Sequence, residues 1–200
     1  MSTDGVDTSR RRFLIGATSV VGAVGAAGLA VPFIASMNPS ARARAAGAPV
    51  EVDISKLQPG ERITVEWQGK PVWILRRSEQ NMKDLEGMAD KLADPKSEVP
   101  QQPAYATNLY RSNEKRADVV VLIGICTHLG CSPTFRPEMG AADMGGAEWK
   151  GGFFCPCHGS TFDLAGRVYA GAPAPKNLEI PKHQYLADSL IQIGVDGGTA

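Results

Sequence analysis

A chain of 200 residues, 43% of them apolar, is long enough for one medium domain and an appendage. Its 21 lysines and arginines balance its 21 aspartates and glutamates, and it has no basic stripe interleaved with aromatics, which excludes a nucleic-acid binder. The balance is uneven: residues 1–50 hold five arginines against two aspartates, so the remainder carries a net negative charge.

At the N-terminus, Ser9-Arg10-Arg11-Arg12-Phe13-Leu14 resembles a twin-arginine export signal. Residues 13–37 follow as a 25-residue run without a charge. About 20 apolar residues span the hydrocarbon core. The pattern therefore predicts a cytoplasmic stretch over residues 1–12 and a transmembrane anchor over 13–37. Ala41-Arg42-Ala43 and Ala43-Arg44-Ala45 imitate cleavage sites, so the alternative is a cleaved signal; the length of the run favours a retained anchor. Arg10, Arg11 and Arg12 keep the N-terminus cytoplasmic, an asymmetry that Arg42 and Arg44 weaken. Gly16, Gly22, Gly25 and Gly28 form a small-residue face that permits close helix approach, or reflect how common glycine is in such helices. Residues 38–49, rich in Ala, Gly, Ser and Pro, read as a flexible tether.

The head spans residues 50–200. Residues 61–67 alternate and read as a strand, Gln68-Gly69-Lys70-Pro71 as a turn, and residues 72–75 as a second strand. Residues 78–92 have helical spacing at Leu85, Met88 and Leu92, with Ser78 as cap. Asp94-Pro95 and residues 100–103 break the chain into a loop. Residues 119–125 are a continuous apolar, β-branched run, which predicts a buried strand. Residues 132–152 carry glycines and prolines without periodicity and read as a surface excursion. Phe153-Phe154 ends a strand, Gly166 marks a turn, and Arg167-Val168-Tyr169 reads as a short strand. Gly171-Ala172-Pro173-Ala174-Pro175 is a rigid loop barred from a central strand. Residues 185–187 and 190–193 flank Asp188-Ser189 as a hairpin. His183 lies outside any motif and reads as an ordinary surface histidine.

The strongest signal is a pair of boxes, Cys126-Thr127-His128-Leu129-Gly130-Cys131 and Cys155-Pro156-Cys157-His158-Gly159-Ser160. They hold all four cysteines of the chain and two of its three histidines. Cys126-x-His128 and Cys155-x-x-His158 each offer one thiolate and one imidazole, the inventory of a two-iron cluster with two Cys on one iron and two His on the other. Cys131 and Cys157 are then left over and free to close a disulfide, which suits an oxidising compartment. Two other readings use the same residues. Four cysteines allow three pairings as a two-disulfide knot, and a structural zinc site would leave two cysteines unused.

These boxes resemble those of Rieske iron–sulfur proteins, specifically the iron–sulfur subunits of cytochrome bc-type quinol oxidases (respiratory complex III). The resemblance extends to the proline loop, the anchor and the tether, and loosely constrains residues 78–115. It implies a mainly β fold: an antiparallel head with a small cluster subdomain, at about residues 124–176, inserted between strands of a larger base sheet, beside one N-terminal transmembrane helix. It implies a Rieske [2Fe-2S] cluster held by Cys126 and Cys155 on one iron and His128 and His158 on the other, a Cys131–Cys157 disulfide, and tuning of the cluster by Leu129, Gly130, Ser160 and Phe162. Gly171, Pro173 and Pro175 correspond to the loop covering a third side of the cluster, and residues 38–49 to the hinge on which the head swings. The chain departs at Phe162, where the family often has a tyrosine whose hydroxyl bonds a ligand sulfur.

The implied function is quinol–cytochrome c oxidoreduction. A quinol hydroxyl hydrogen-bonds His158, or else His128, and gives up a proton as the cluster gains an electron, which passes to a c-type haem. The implied partners are cytochrome b and a c-type cytochrome in a dimeric complex of the bacterial inner membrane, with the head periplasmic. The alternatives are the Rieske subunit of a periplasmic molybdenum oxidase such as arsenite oxidase, and a non-redox anchored structural protein. Two imidazoles in place of two thiolates make electron gain easier, which places such centres at roughly −150 to +300 mV, against about −400 mV for plant-type ferredoxins.

Overall fold

The computed structural model describes Gly5 and residues 7–196. Part of the cytoplasmic stretch (residues 1–4 and 6) and the last four residues of the head lie outside the described residues. The chain divides into a helical unit ending at Ala45 and a second unit beginning at Ala46.

The first unit is dominated by α1 (Thr8–Ser36). It begins before the apolar run and takes in the three arginines, because the Asp7 side chain caps it by accepting from the amides of Ser9 (3.0 Å) and Arg10 (3.1 Å). None of its residues is buried, and it is long and apolar enough to cross a membrane. Within the tether the structure forms a short helix, α2 (Ala41–Ala46), where flexible chain was expected. Ser40 Oγ accepts from the amide of Ala43 at its start, and no residue of α2 is buried. A helix of six residues is marginal by itself.

The second unit contains β1 (Val50–Asp53), β2 (Arg62–Trp67), β3 (Lys70–Arg76), α3 (Glu79–Glu86), β4 (Val119–Ile123), β5 (Thr134–Arg136), β6 (Gly152–Phe154), β7 (Thr161–Asp163), β8 (His183–Ala187) and β9 (Leu190–Ile193). They form three antiparallel sheets of three strands, ordered β1-β9-β8, β2-β3-β4 and β5-β6-β7. The base is thus two small sheets rather than one larger one, and β5-β6-β7 is inserted in sequence between them.

The sheet β2-β3-β4 explains the apolar run at residues 119–123. Successive side chains of a strand point to opposite faces. Val119, Val121 and Ile123, with Val72 and Ile74 of β3, pack in one core with Val52, Ile191 and Ile193 of the β1-β9-β8 sheet. Val120 and Leu122, with Trp73 and Leu75, pack in a second core that contains Phe153, Phe162, Cys126 and Cys155. A strand buried on both faces loses its alternation and reads as continuously apolar. The ligand-bearing loops are therefore built on the back of the base.

Several expectations are corrected. The helical segment at residues 78–92 is broken: α3 ends at Gly87 and a 3-10 turn, Ala89–Lys91, follows. Leu85, Met88 and Leu92 are nevertheless all buried, as their spacing required. Ser78 caps α3 in a reciprocal capping box with Asn81. Residues 167–169 form only isolated bridges, Phe162 to Val168 and Leu92 to Tyr169, because the amides of Arg167 and Val168 donate to the side chains of Asp163 (2.8 Å) and Asn177 (2.9 Å) rather than to a neighbouring strand. The excursion at residues 132–152 contains β5, whose three residues are too few to show a period. His183 is not on the surface. It is 3% exposed, its amide donates to the Tyr105 hydroxyl (2.9 Å), and that hydroxyl donates to the His183 carbonyl (2.8 Å).

Candidate metal centre

Each box folds into the same six-residue loop. In the first, the amide of Cys126 donates to the carbonyl of Cys131 (2.7 Å), and that of Gly130 to the carbonyl of Cys126 (3.1 Å). In the second, the amide of Cys155 donates to the carbonyl of Ser160 (2.7 Å), and that of Gly159 to the carbonyl of Cys155 (2.9 Å). The two glycines occupy equivalent places, at φ +83° and +79°, a left-handed backbone that a side chain would strain. This is the physical content of the repeated Gly in the two boxes. β4 delivers the first loop and the β6–β7 hairpin carries the second.

The loops bring the expected residues together. Cys126 and Cys155 are buried and carry free thiols. The rings of His128 and His158 meet edge to face with centroids 4.7 Å apart. His158 is exposed, whereas His128 is half-buried, and its Nδ1 is buried without a hydrogen-bond partner. An orphaned buried nitrogen in a polar site is one that expects a partner. Cys131 and Cys157 form a disulfide that joins the loops. The Sγ atoms of Cys131, Cys155 and Cys157 lie within 4.8 Å of one another, but two of them are spent in the bridge, so these three are not a ligand set.

Burial pushes the Cys126 thiol upward in pKa, while bonds from the His128 backbone and the Ser160 hydroxyl pull it back. Ser160 is itself oriented: its Oγ accepts from the amide of Ala174 (3.0 Å), in the proline loop, which leaves its proton free to point at sulfur. A second tie leaves no mark in the amino-acid order. Thr127 Oγ1 donates to the carbonyl of Lys176 (2.6 Å), so the proline loop is clasped to both boxes. Ala174 is buried while Gly171, Pro173 and Pro175 are exposed, so the loop presents its prolines outward. Leu129 is 70% exposed at the tip of the first box. Phe162 is fully buried, pairs with Phe153 across the β6–β7 hairpin, and shares a core with both free cysteines.

Two buried thiols on the inner side and two imidazoles toward solvent fit a mixed-ligand two-iron cluster: the donors number four, split evenly by type, and no nearby amine or carboxylate competes for them among the hydrogen bonds of the boxes.

Residues 49–183 match the Rieske [2Fe-2S] domain family, and residues 1–40 match the family described as the ubiquitinol–cytochrome c reductase Fe-S subunit TAT signal. The chain is 62% identical over 200 residues, covering 100% of itself and 95% of the relative, to the ubiquinol–cytochrome c reductase iron–sulfur subunit of Allochromatium vinosum. This chain belongs to the Rieske iron–sulfur subunits of ubiquinol–cytochrome c reductase. The subunit of Bradyrhizobium diazoefficiens is 42% identical over 187 residues, covering 93% of this chain and 94% of that one. Among solved structures, a chain of a hyperthermophilic respiratory complex III is 28% identical with a TM-score of 0.47, covering 88% of this chain and 96% of that one. As a Rieske subunit, the protein has a [2Fe-2S] cluster as its cofactor, an electron-transfer role within a complex III, a Tat signal and an N-terminal helix suited to anchor it.

Proposed function

We propose that this subunit oxidises quinol at the quinol-oxidising (Qo) site of its complex and delivers the electron to the haem of a c-type cytochrome. Cys126 and Cys155 hold one iron and His128 and His158 the other. When bound, the cluster supplies reversible one-electron chemistry at a potential raised by its two neutral imidazoles. The observation that carries the reading is the sidedness of the four donors: both thiols are buried, while the paired imidazoles stand at the tip beside exposed Leu129.

That sidedness assigns the work of the residues. The buried Nδ1 of His128 is the nitrogen available to metal, which leaves Nε2 for an external partner. His158, exposed, accepts the hydrogen bond of a quinol hydroxyl and takes its proton, with His128 as the second choice. Leu129 offers an apolar contact to the quinone ring. The disulfide and the two ties to the proline loop hold the loops closed and keep water off the sulfurs. Cytochrome b and a c-type cytochrome in a dimeric complex are the proposed partners. The basic N-terminus remains in the cytoplasm, α1 crosses the inner membrane and the head is periplasmic. The tether at residues 38–49 lets the head move between quinol and haem.

Cys126→Ser, His128→Ala, Cys155→Ser and His158→Ala each remove one donor. Low-temperature EPR of dithionite-reduced membranes should show the mixed-ligand signal in the wild type and in none of the four variants. A retained signal in any one of them overturns that residue's assignment.

A further inference from the structure

Three guanidiniums are buried in the head, those of Arg77, Arg111 and Arg167, and among the described residues one buried carboxylate, that of Asp163, is present to balance them. Arg167 takes it, Nε to Oδ2 at 2.7 Å. Arg111, with no exposure at all, has only neutral partners. Its Nη1 donates to the carbonyls of Ala165 (3.0 Å) and Gly166 (3.1 Å), and its Nη2 to the carbonyl of Leu178 (2.7 Å) and to Gln102 Oε1 (3.0 Å). Burial pulls its pKa down to about 10, which leaves it charged at neutral pH. No carboxylate is bonded to it, although Asp163 and Asp94 favour its charge through space and Arg167 opposes it, and a buried charge without a bonded counter-ion is costly.

Its position indicates what gains from it. Ala165 and Leu178, whose carbonyls it holds, belong to the core that also contains Cys126 and Cys155. Charge and sulfurs thus share one low-dielectric body, in which Coulomb interactions persist. Arg77 is equally buried and also bonded to neutral acceptors, the carbonyls of Tyr110 and Ala117 and the hydroxyl of Ser112. It lies beyond the end of β3, where Arg76 faces Val119, which is the opposite end of β4 from the first box.

We propose that the Arg111 guanidinium is a fixed positive charge that raises the reduction potential of the cluster. The proposal rests on the reading that the cluster sits between the two boxes. Gain of one electron adds one negative charge to that site, and a positive charge in the same core favours the product. Arg111 is a positioning and tuning residue in this sense; it touches neither quinol nor metal. Because it also ties the turn after β7 to the end of the proline segment, its charge has to be separated from its hydrogen bonds.

Gln102 permits that separation. Its Oε1 accepts from Arg111 and its Nε2 donates to the carbonyl of Ser97 (2.9 Å). Gln102→Glu keeps the first bond, loses the second, and sets a carboxylate against the guanidinium. Gln102→Met loses both and adds no charge. A structural role therefore predicts the larger disturbance for Met, and an electrostatic role predicts it for Glu.

The experiment is an EPR-monitored redox titration of membranes carrying the full complex. The Glu variant should keep the wild-type line shape while its equilibrium constant for reduction falls by up to about tenfold, tenfold being about 59 mV for one electron. The Met variant should titrate with the wild type. The proposal is overturned if Met shifts the potential as far as Glu does, or if Glu titrates as wild type. Should Gln102→Glu fail to assemble, Arg111→Lys and Arg111→Met give the same contrast: Lys should hold the potential and Met should lower it, and equal potentials overturn the proposal. A wild type without the mixed-ligand signal would instead remove the site reading beneath it.

Discussion

At Phe162 one missing oxygen has a consequence that can be measured. On the proposed ligand set, a hydroxyl at this position should donate to a ligand sulfur and favour the reduced cluster, which carries more negative charge. A hydrogen bond to a charged group contributes roughly 1.5–3 kcal/mol in all. Only the difference between oxidation states moves the potential, about 1 kcal/mol, and about 1.4 kcal/mol corresponds to about 59 mV for one electron. Phe162→Tyr should therefore raise the midpoint potential by some tens of millivolts in a redox titration. Phe162 is fully buried against Phe153, so a hydroxyl that misses the sulfur would be left without a partner and destabilise the head. An unchanged or lower potential with a lower melting temperature would sink the sulfur-bond reading.

At the scale of the element, the two loops and the tether make opposite demands. The loops must be rigid. The Cys131–Cys157 bridge joins positions 26 residues apart, and removing such a link costs about 2–4 kcal/mol. Cys131→Ser and Cys157→Ser should behave alike, since either leaves the same bridge unmade: the EPR signal should form and then decay faster than in the wild type. Two free thiols at these positions in the folded wild type, found by mass spectrometry, would remove the basis for this. On the proposed function, the tether has to yield. Prolines over residues 42–47 should slow quinol oxidation with the EPR signal intact. A glycine series over the same residues abolishes α2 without stiffening the chain and should leave turnover near wild type. Unchanged turnover in the proline series would mean that the tether does not flex there.

At the scale of the whole head, a buried histidine couples stability to pH. His183 Nδ1 donates to the carbonyl of Pro181 (2.9 Å), while Nε2 is buried without a partner. Burial holds its pKa below the ordinary value, and the bond to the Pro181 carbonyl offsets this only in part. The unfolded chain protonates at about 6.5, so between the two pKa values the unfolded state binds more protons. Stability from this residue is complete above about pH 6.5 and is lost as pH falls from there toward the lower folded value. Melting temperatures between about pH 8 and pH 5 should fall more steeply for the solubilised wild-type chain than for His183→Gln. Parallel curves would show that His183 does not titrate on unfolding. Comparison with the variant cancels every contribution that the two proteins share.

The two boxes, the twin-arginine motif, the apolar span and the continuous run into Cys126 were legible in the amino-acid order alone. Each is a local pattern whose meaning depends on residue type and spacing: ligand chemistry in the boxes, hydrocarbon thickness in the span, and in the run a strand covered on both faces. What the order could not show is which distant groups meet. His183 looks like any exposed histidine until Tyr105, 78 residues away, closes over it. Arg167 sits in a run that resembles a strand until Asp163 takes both its amide and its guanidinium inside the core. Arg111 and Thr127 gain their significance only from the carbonyls of Ala165 and Lys176, 54 and 49 residues distant, and a backbone carbonyl leaves no mark on the side-chain sequence. Tertiary structure decided these because a buried polar group must be satisfied wherever the folded chain offers a partner, and that requirement acts through space, without regard to separation along the chain.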